Sequence, residues 1–210
     1  MPRRSFHHES VEVRRQDLIA ATLDAIAEFG LRGATVREIA DRAGVTPGLI
    51  RHYFISKELM FQAAYREVMN TMFETASEAA EEQGKDGVSR LRIFVLANFK
   101  PPIVDSRNLS LWATFISQIS VDPALAAIHR EGYLAFRDRL QAHIRDAMEQ
   151  AGRSITPEQL RELAIAINGL MDGLWLEGSM AADMFADGEL AEVALKSVEK
   201  LLELPIAEKT

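Results

Sequence analysis

The segment TVREIADRAGVTPGLIRHYFISKELMFQAAY, residues 35–65, is the most position-specific text in the chain. Thr35 stands three residues before Glu38, the spacing of a capping box in which hydroxyl and carboxylate each satisfy a backbone N–H. A short helix therefore opens after Thr35 and ends near Ala43-Gly44, where glycine permits a tight turn. Thr46 caps a second helix, and Pro47 occupies its first position, where a missing N–H costs nothing. The spacing predicts this helix over Pro47–Tyr53. Ile39 and Ala40 face inward on the first helix, Leu49 and Ile50 anchor the second, and Tyr53 borders that packing. The outward positions are then Pro47, Gly48, Arg51 and His52. Two short helices crossing at a glycine turn make a helix-turn-helix, and an outward face of this kind fits a major groove.

Outward from this core the text stays helical, with apolar residues at three- and four-residue spacing and no period-2 runs of Val, Ile and Thr. A first helix is expected over Val11–Phe29, with Leu18, Ala21, Thr22, Ala25, Ile26 and Phe29 on one face and Gly30–Gly33 ending it. Residues before Ser10 are expected to be mobile. Ser56 caps a fourth helix carrying Leu59, Met60, Ala63, Ala64, Val68 and Met72 up to the polar EEQGKDG at 81–87, and this helix links head to body. Further helices are expected at Val88–Phe99, Leu109–Ser120, Ala124–Ala151, Pro157–Ala182 and Glu189–Leu204. Asp122-Pro123 and Thr156-Pro157 are cap-plus-proline starts, with Gln159 completing a second capping box. Ile128, Gly132, Phe136, Leu140, Ile144 and Met148 form a single i+4 stripe. The expected fold is all-α: an N-terminal three-helix helix-turn-helix domain (1–55) and a C-terminal helical ligand-binding and dimerisation domain (56–210).

Charge separates the same two parts. Residues 1–57 hold nine Lys/Arg against seven Asp/Glu, so the net charge of −7 lies in the remainder, which carries −9. A basic head on an acidic body orients itself on a phosphate surface. The chain contains no cysteine, which excludes disulfides, thiolate metal sites and thiol nucleophiles. The N-terminal text has arginines but no apolar stretch of a signal peptide, and no segment approaches the roughly 18 apolar residues of a membrane span, so the expected location is the cytoplasm.

The Gly-Val-Thr turn, the His-Tyr-Phe end of the second helix and the following lysine resemble the TetR family of repressors over residues 14–65. That resemblance implies a homodimer on double-stranded operator DNA. It implies further that Thr35, Thr46, Tyr53 and Lys57 touch phosphates while Gly48, Arg51 and His52, with Pro47 beside them, lie against base edges. A guanidinium can take guanine O6 and N7 together, whereas hydroxyls and lysine fix register without reading sequence. Arg51 can instead pair with a surface carboxylate, and His52 can simply be exposed. Arg14 and Arg15 can reach phosphates or a neighbouring minor groove, or form a solvated basic terminus.

The body is similar to the BetI branch of that family, repressors that respond to choline or its oxidation products. NFKPP at 98–102, LSLWATFIS at 109–117 and INGLMDGLWLEGSM at 167–180 carry this likeness. A quaternary ammonium is held by aromatic faces with a carboxylate nearby. Trp112, Phe115 and Trp175, flanked by Asp172 and Glu177, supply such parts for choline, betaine aldehyde or another cation, although aromatics at helical spacing also build ordinary cores. The last two helices are expected to pair with a second copy through Leu170, Leu174, Val193, Leu195, Val198 and Leu202. Gly169, Gly173 and Gly178 either allow close approach there or mark a locally frayed helix.

No GxSxG, HExxH, phosphate loop or cysteine pair is present, and His129 and His143 are too far apart on one helix to share a metal, so neither an enzyme nor a cofactor is expected. The alternative to a DNA-binding regulator is a helical adaptor that binds proteins through its head.

Overall fold

A computed structural model describes residues 11–206; the stretch before Ser10 lies outside them. Among the described residues there are nine α-helices and no strand. The chain divides into two compact units, one ending at Glu67 and the other beginning at Val68.

The first unit holds α1 (Val11–Gly33), α2 (Val36–Ala43), α3 (Pro47–Phe54) and the start of α4 (Lys57–Gln83). α1 buries Leu18, Ala21, Thr22, Ala25 and Ile26 together with Ile19 and Leu23. The Thr22 hydroxyl donates to the Leu18 carbonyl at 2.7 Å, which makes a polar residue tolerable there. Phe29 departs from the expected face and is exposed. Just beyond it Gly30, at φ 67 and ψ 175, interrupts the helix before helical residues resume to Gly33. Arg42 covers the Phe29 ring at 5.7 Å and pairs with Glu28. α2 packs against both α1 and α3.

In the second unit α4 continues to Gln83 and is followed by α5 (Gly87–Ala97), α6 (Ser106–Ile116), α7 (Pro123–Gln150), α8 (Pro157–Met180) and α9 (Glu189–Leu202). α5 packs on α7 and α9, and α8 packs on α6, α7 and α9. Starts follow their caps. Asp122 accepts from Ala124 and Leu125, and Thr156 and Gln159 close the expected capping box. α6 begins three residues before the expected Leu109, because Asp105 accepts from the backbone of Arg107 and Asn108 and stops the preceding turn.

The α7 stripe of Ile128, Phe136, Leu140, Ile144 and Met148 is buried as expected. Within this stripe a Cβ on Gly132 would stand 2.9 Å from Met69 Cε, the flexible end of that side chain, and 3.4 Å from Phe73 Cδ2. No helix of the described residues is long and apolar enough to cross a membrane.

Candidate functional site

In the first unit, the site is a consequence of how α3 is held. Thr35 Oγ1 accepts from the Glu38 N–H at 3.2 Å, fixing the start of α2, while the Glu38 carboxylate faces Arg42 at 3.8 Å instead of closing the box. Gly44 adopts the left-handed conformation (φ 65, ψ 33) and donates back to the end of α2, turning the chain toward α3. α3 is anchored by Ile50 and by Phe54, which are 2% and 4% exposed. Leu49 and Tyr53 are half-buried. Phe54 is the anchor the sequence reading missed: it stands four residues after Ile50 and extends the helix one residue past Tyr53. The Arg15 guanidinium lies 5.3 Å from its ring, and Arg14 pairs with Asp17 at 3.7 Å.

With that inner face occupied, Pro47, Gly48, Arg51 and His52 are all exposed. Among the described residues no carboxylate pairs with Arg51. Thr35 and Thr46 are exposed, while Tyr53 and Lys57 are half-buried. Thr46 occupies the cap position without a side-chain cap bond, which leaves its hydroxyl uncommitted. His52 meets the Tyr53 ring edge-on at 5.4 Å, and Lys57 Nζ lies 4.8 Å from the Phe61 ring.

In the second unit four of the five candidate effector residues, Trp112, Phe115, Asp172 and Trp175, are buried or half-buried. The Trp112 and Trp175 rings meet edge to face at 5.9 Å, and Phe115 is fully buried. Trp175 Nε1 donates to the Asn98 carbonyl at 2.8 Å. One turn back on α8, Asp172 accepts from Asn168 Nδ2 at 2.9 Å and lies 3.5 Å from the Tyr133 hydroxyl. Asn168 Nδ2 also reaches Tyr133 Oη at 2.9 Å. The Arg137 guanidinium lies 4.8 Å from the Tyr133 ring, and His129 stacks on the same ring at 5.4 Å. Burial pushes the Asp172 carboxyl up to about 6, against the opposing pull of the Tyr133 and Asn168 hydrogen bonds and the Arg137 charge. Burial also holds the His129 and His143 imidazoles below their ordinary range.

Glu177 is exposed and stands apart from this cluster. Asn98, Tyr133 and Asn168 were missed by the sequence reading; the two asparagines are 0% and 1% exposed, a burial that no pattern in the sequence marks. A cavity of about 240 Å³ adjoins the cluster, lined by Phe99, Leu109, Leu174, Trp175, Phe185 and Leu190 among others.

Of the six residues expected at a dimer contact, Val198 and Leu202 are buried inside the subunit at 0% and 1% exposure. With Ala194 they form the inner stripe by which α9 packs on its own α5 and α8, so they are not surface. Leu170, Leu174 and Leu195 are half-buried and Val193 is exposed. Ile165, Leu176 and Met180 on α8 and Leu201 on α9 are exposed apolar side chains on the same pair of helices. A Cβ on Gly169 or Gly173 would meet open space, whereas one on Gly178 would stand 2.9 Å from Leu190 Cδ1.

Residues 18–64 match the bacterial regulatory proteins of the tetR family, and residues 87–203 match the C-terminal domain of BetI-type transcriptional repressors. The HTH-type transcriptional regulator BetI of Burkholderia lata is 34% identical over 81% of this chain and 84% of its own length. The chain belongs to the TetR family. Its body is of the BetI type, and the protein is a transcriptional regulator rather than an enzyme. A transcriptional regulator of Pseudomonas aeruginosa PAO1, known as a crystal structure, superposes with a TM-score of 0.84 at 28% identity over 95% of each chain. A Saccharomonospora viridis regulator solved in complex with choline shares the TetR-type fold, with a TM-score of 0.71 at 19% identity over 94% of this chain and all of its own.

Proposed function

We propose that this regulator is a cytoplasmic homodimer that represses transcription by docking two copies of α3 in successive major grooves of an operator. Pro47, Gly48, Arg51 and His52 lie against base edges, and Thr35, Thr46, Tyr53 and Lys57 hold the backbone. The exposure of all four base-edge candidates on a helix pinned by Ile50 and Phe54 carries this reading. Side chains with no packing duty are available to a ligand of the size of a groove.

Dimerisation uses the exposed apolar faces of α8 and α9, where Leu170, Leu174, Val193 and Leu195 are accessible and Ile165, Leu176, Met180 and Leu201 extend the patch. The effector is a small cation, choline or betaine aldehyde being the first to test, held among Trp112, Phe115, Trp175 and Asp172. The BetI-type body and the choline-bound fold neighbour support this choice. Because α4 runs unbroken through Glu67 and Val68, it is the covalent route by which occupancy of the body changes the spacing of the two α3 helices. Major grooves recur about every 34–36 Å, so a few ångströms of change spoil simultaneous docking. The effector must bind the two states unequally for this to occur.

Binding to a labelled operator fragment, followed across a salt series, tests the proposal. A regulator loses affinity steeply as salt rises because bound phosphates release counterions. An adaptor that binds proteins through its head shows no retention at any salt, and that outcome ends the reading. Sedimentation velocity of the same preparation checks the dimer.

A further inference from the structure

Two arginines of the first unit lie over phenylalanine rings, and they differ in what else they meet. The Arg42 guanidinium, 5.7 Å from the Phe29 ring, also pairs with Glu28 and faces Glu38 at 3.8 Å. Its charge is balanced where it stands, and the group ties α2 to α1. The Arg15 guanidinium, 5.3 Å from the Phe54 ring, has no ion pair and no hydrogen bond among the described residues. Arg14, one residue earlier, pairs with Asp17 at 3.7 Å.

The place of Arg15 follows from α1. Residues 15, 19, 22 and 26 share one face of the helix, and Ile19, Thr22 and Ile26 on that face are buried. Arg15 stands at the open end of this stripe and is half-buried. An arginine meets both demands by laying its stem along apolar surface and keeping its head in water. Phe54 gives the guanidinium a flat partner that takes none of its N–H donors, so these remain for an acceptor. The stack also orients the planar fork, and a fork held in this way suits the oxygens of a phosphate.

The surroundings are of one sign. Phe54 ends α3, and the stretch Pro47–Lys57 holds Arg51, His52 and Lys57 with no Asp or Glu. Lys57 Nζ likewise rests over a ring, that of Phe61, at 4.8 Å. Arginines that enter a minor groove from outside a recognition helix do so on extended arms. Arg15 is inside a helix and tied to a ring, which favours phosphate.

We propose that Arg15 holds a backbone phosphate of the operator beside the C-terminal end of α3, with its guanidinium face on Phe54 and its edge on the phosphate oxygens. Because Phe54 anchors α3, this contact links the register of the protein on the duplex to the direction of that helix. The inference rests on the operator-binding reading and adds a contact from α1, whereas the DNA contacts of that reading all lie within residues 35–57.

Binding of the full-length protein to labelled non-operator duplexes, one rich in A·T and one in G·C, tests it, since phosphate contacts dominate such binding and set its salt dependence. Arg15→Met keeps an apolar stem over Phe54 and removes the charge. It should weaken binding about tenfold on both duplexes and flatten the plot of log affinity against log salt by about 1 per subunit. Arg15→Gln repeats the measurement with a polar stem, so the result does not rest on the folding of one variant. Arg15→Lys keeps the charge and should return the slope to that of the unaltered protein. Arg42→Met removes an equal but already paired charge and should leave the slope unchanged. An unaltered slope in Arg15→Met and Arg15→Gln overturns the inference and leaves the operator-binding reading intact. A slope lowered equally by Arg42→Met, or left low by Arg15→Lys, also overturns it, the first by reducing the effect to net charge and the second to packing. A loss confined to the A·T-rich duplex overturns it by putting Arg15 in the minor groove. Failure of the unaltered protein to bind either duplex removes the operator-binding reading together with the inference.

Discussion

The two units handle their functional side chains in opposite ways. In the first, the residues proposed to meet DNA take no part in the core: Ile50 and Phe54 hold α3, and Pro47, Gly48, Arg51 and His52 are left exposed. In the second, the aromatic residues proposed to meet the effector are the core, with Trp175 and Phe115 at 1% and 0% exposure. A surface site can be altered without disturbing the fold that presents it. An interior site cannot, because the same atoms supply packing and recognition.

The largest effects should therefore come from anchors. Phe54→Ala in the head and Trp175→Ala in the body should each cost about 3–5 kcal/mol, the range for truncating a buried large aromatic. Trp175→Ala also leaves the Asn98 carbonyl without its indole donor. Urea unfolding measures both. A Trp175→Ala variant of unchanged stability would show that this ring fills a ligand site rather than a core, and the contrast between the units would disappear.

Next in size is Arg51→Ala, expected to weaken specific operator binding by about 1–3 kcal/mol and to relax one base preference. Its stability should stay within about 0.5 kcal/mol of the parent, as for other exposed positions without a structural partner. Binding measured on an operator and on base-substituted versions separates the cases. Equal loss on every sequence assigns Arg51 to phosphate, and a lowered melting point assigns it a structural duty.

The same contrast explains which features were legible in the sequence. Caps and turns are local chemistry, so Thr35, Gly44, Pro47, Asp122 and Thr156 could be read from spacing alone, and with them the helix order and the outward face of α3. The α6 start was misplaced because Asp105 caps it from a stretch whose apolar pattern begins only at Leu109. Val198 and Leu202 were assigned to a dimer contact because an apolar stripe on the last helix suits a partner subunit and the subunit's own core equally well. Periodicity gives a stripe its hydrophobicity but not its partner. The interior polar cluster was only half visible. Trp112, Asp172 and Trp175 stood out by residue type, whereas Asn98, Tyr133 and Asn168 acquire their meaning from contacts between residues as far apart as 77 positions.

Asp172 sharpens the comparison through pH. Its carboxyl is raised from 3.8 to about 6 in the folded protein. Its contribution to stability is thus fully present below the unfolded value and is lost as pH rises through about 6. Above that, the ionised group is a burden on the fold, worth about 1–2 kcal/mol after discounting for its partial exposure. Asp172→Asn keeps an oxygen that can accept from Asn168 and Tyr133, and it should raise stability by that amount at about pH 8 and leave it unchanged at about pH 4. Thermal melts at the two values give the answer. A gain of the same size at both would mean that the carboxyl is not ionising in this interval.

The smallest effect tests whether the head's division of labour reaches the end of α3. Ile55 ends that helix at φ 63 and ψ −49, with its side chain 79% exposed and its N–H donated to the Arg51 carbonyl at 3.0 Å. A β-branched residue in the left-handed half of the map costs about 1–2 kcal/mol, and so exposed a side chain recovers little of this through burial. Glycine relieves the strain but adds about 0.5–1 kcal/mol of unfolded-chain entropy. Ile55→Gly should consequently gain about 0.5–1 kcal/mol in urea unfolding. Operator affinity should not change, because Ile50 and Phe54 rather than Ile55 set the direction of α3. A loss of affinity at unaltered stability would place Ile55 in the DNA-binding surface, with its strained backbone maintained for recognition, and the separation of anchor from reader in the head would no longer hold.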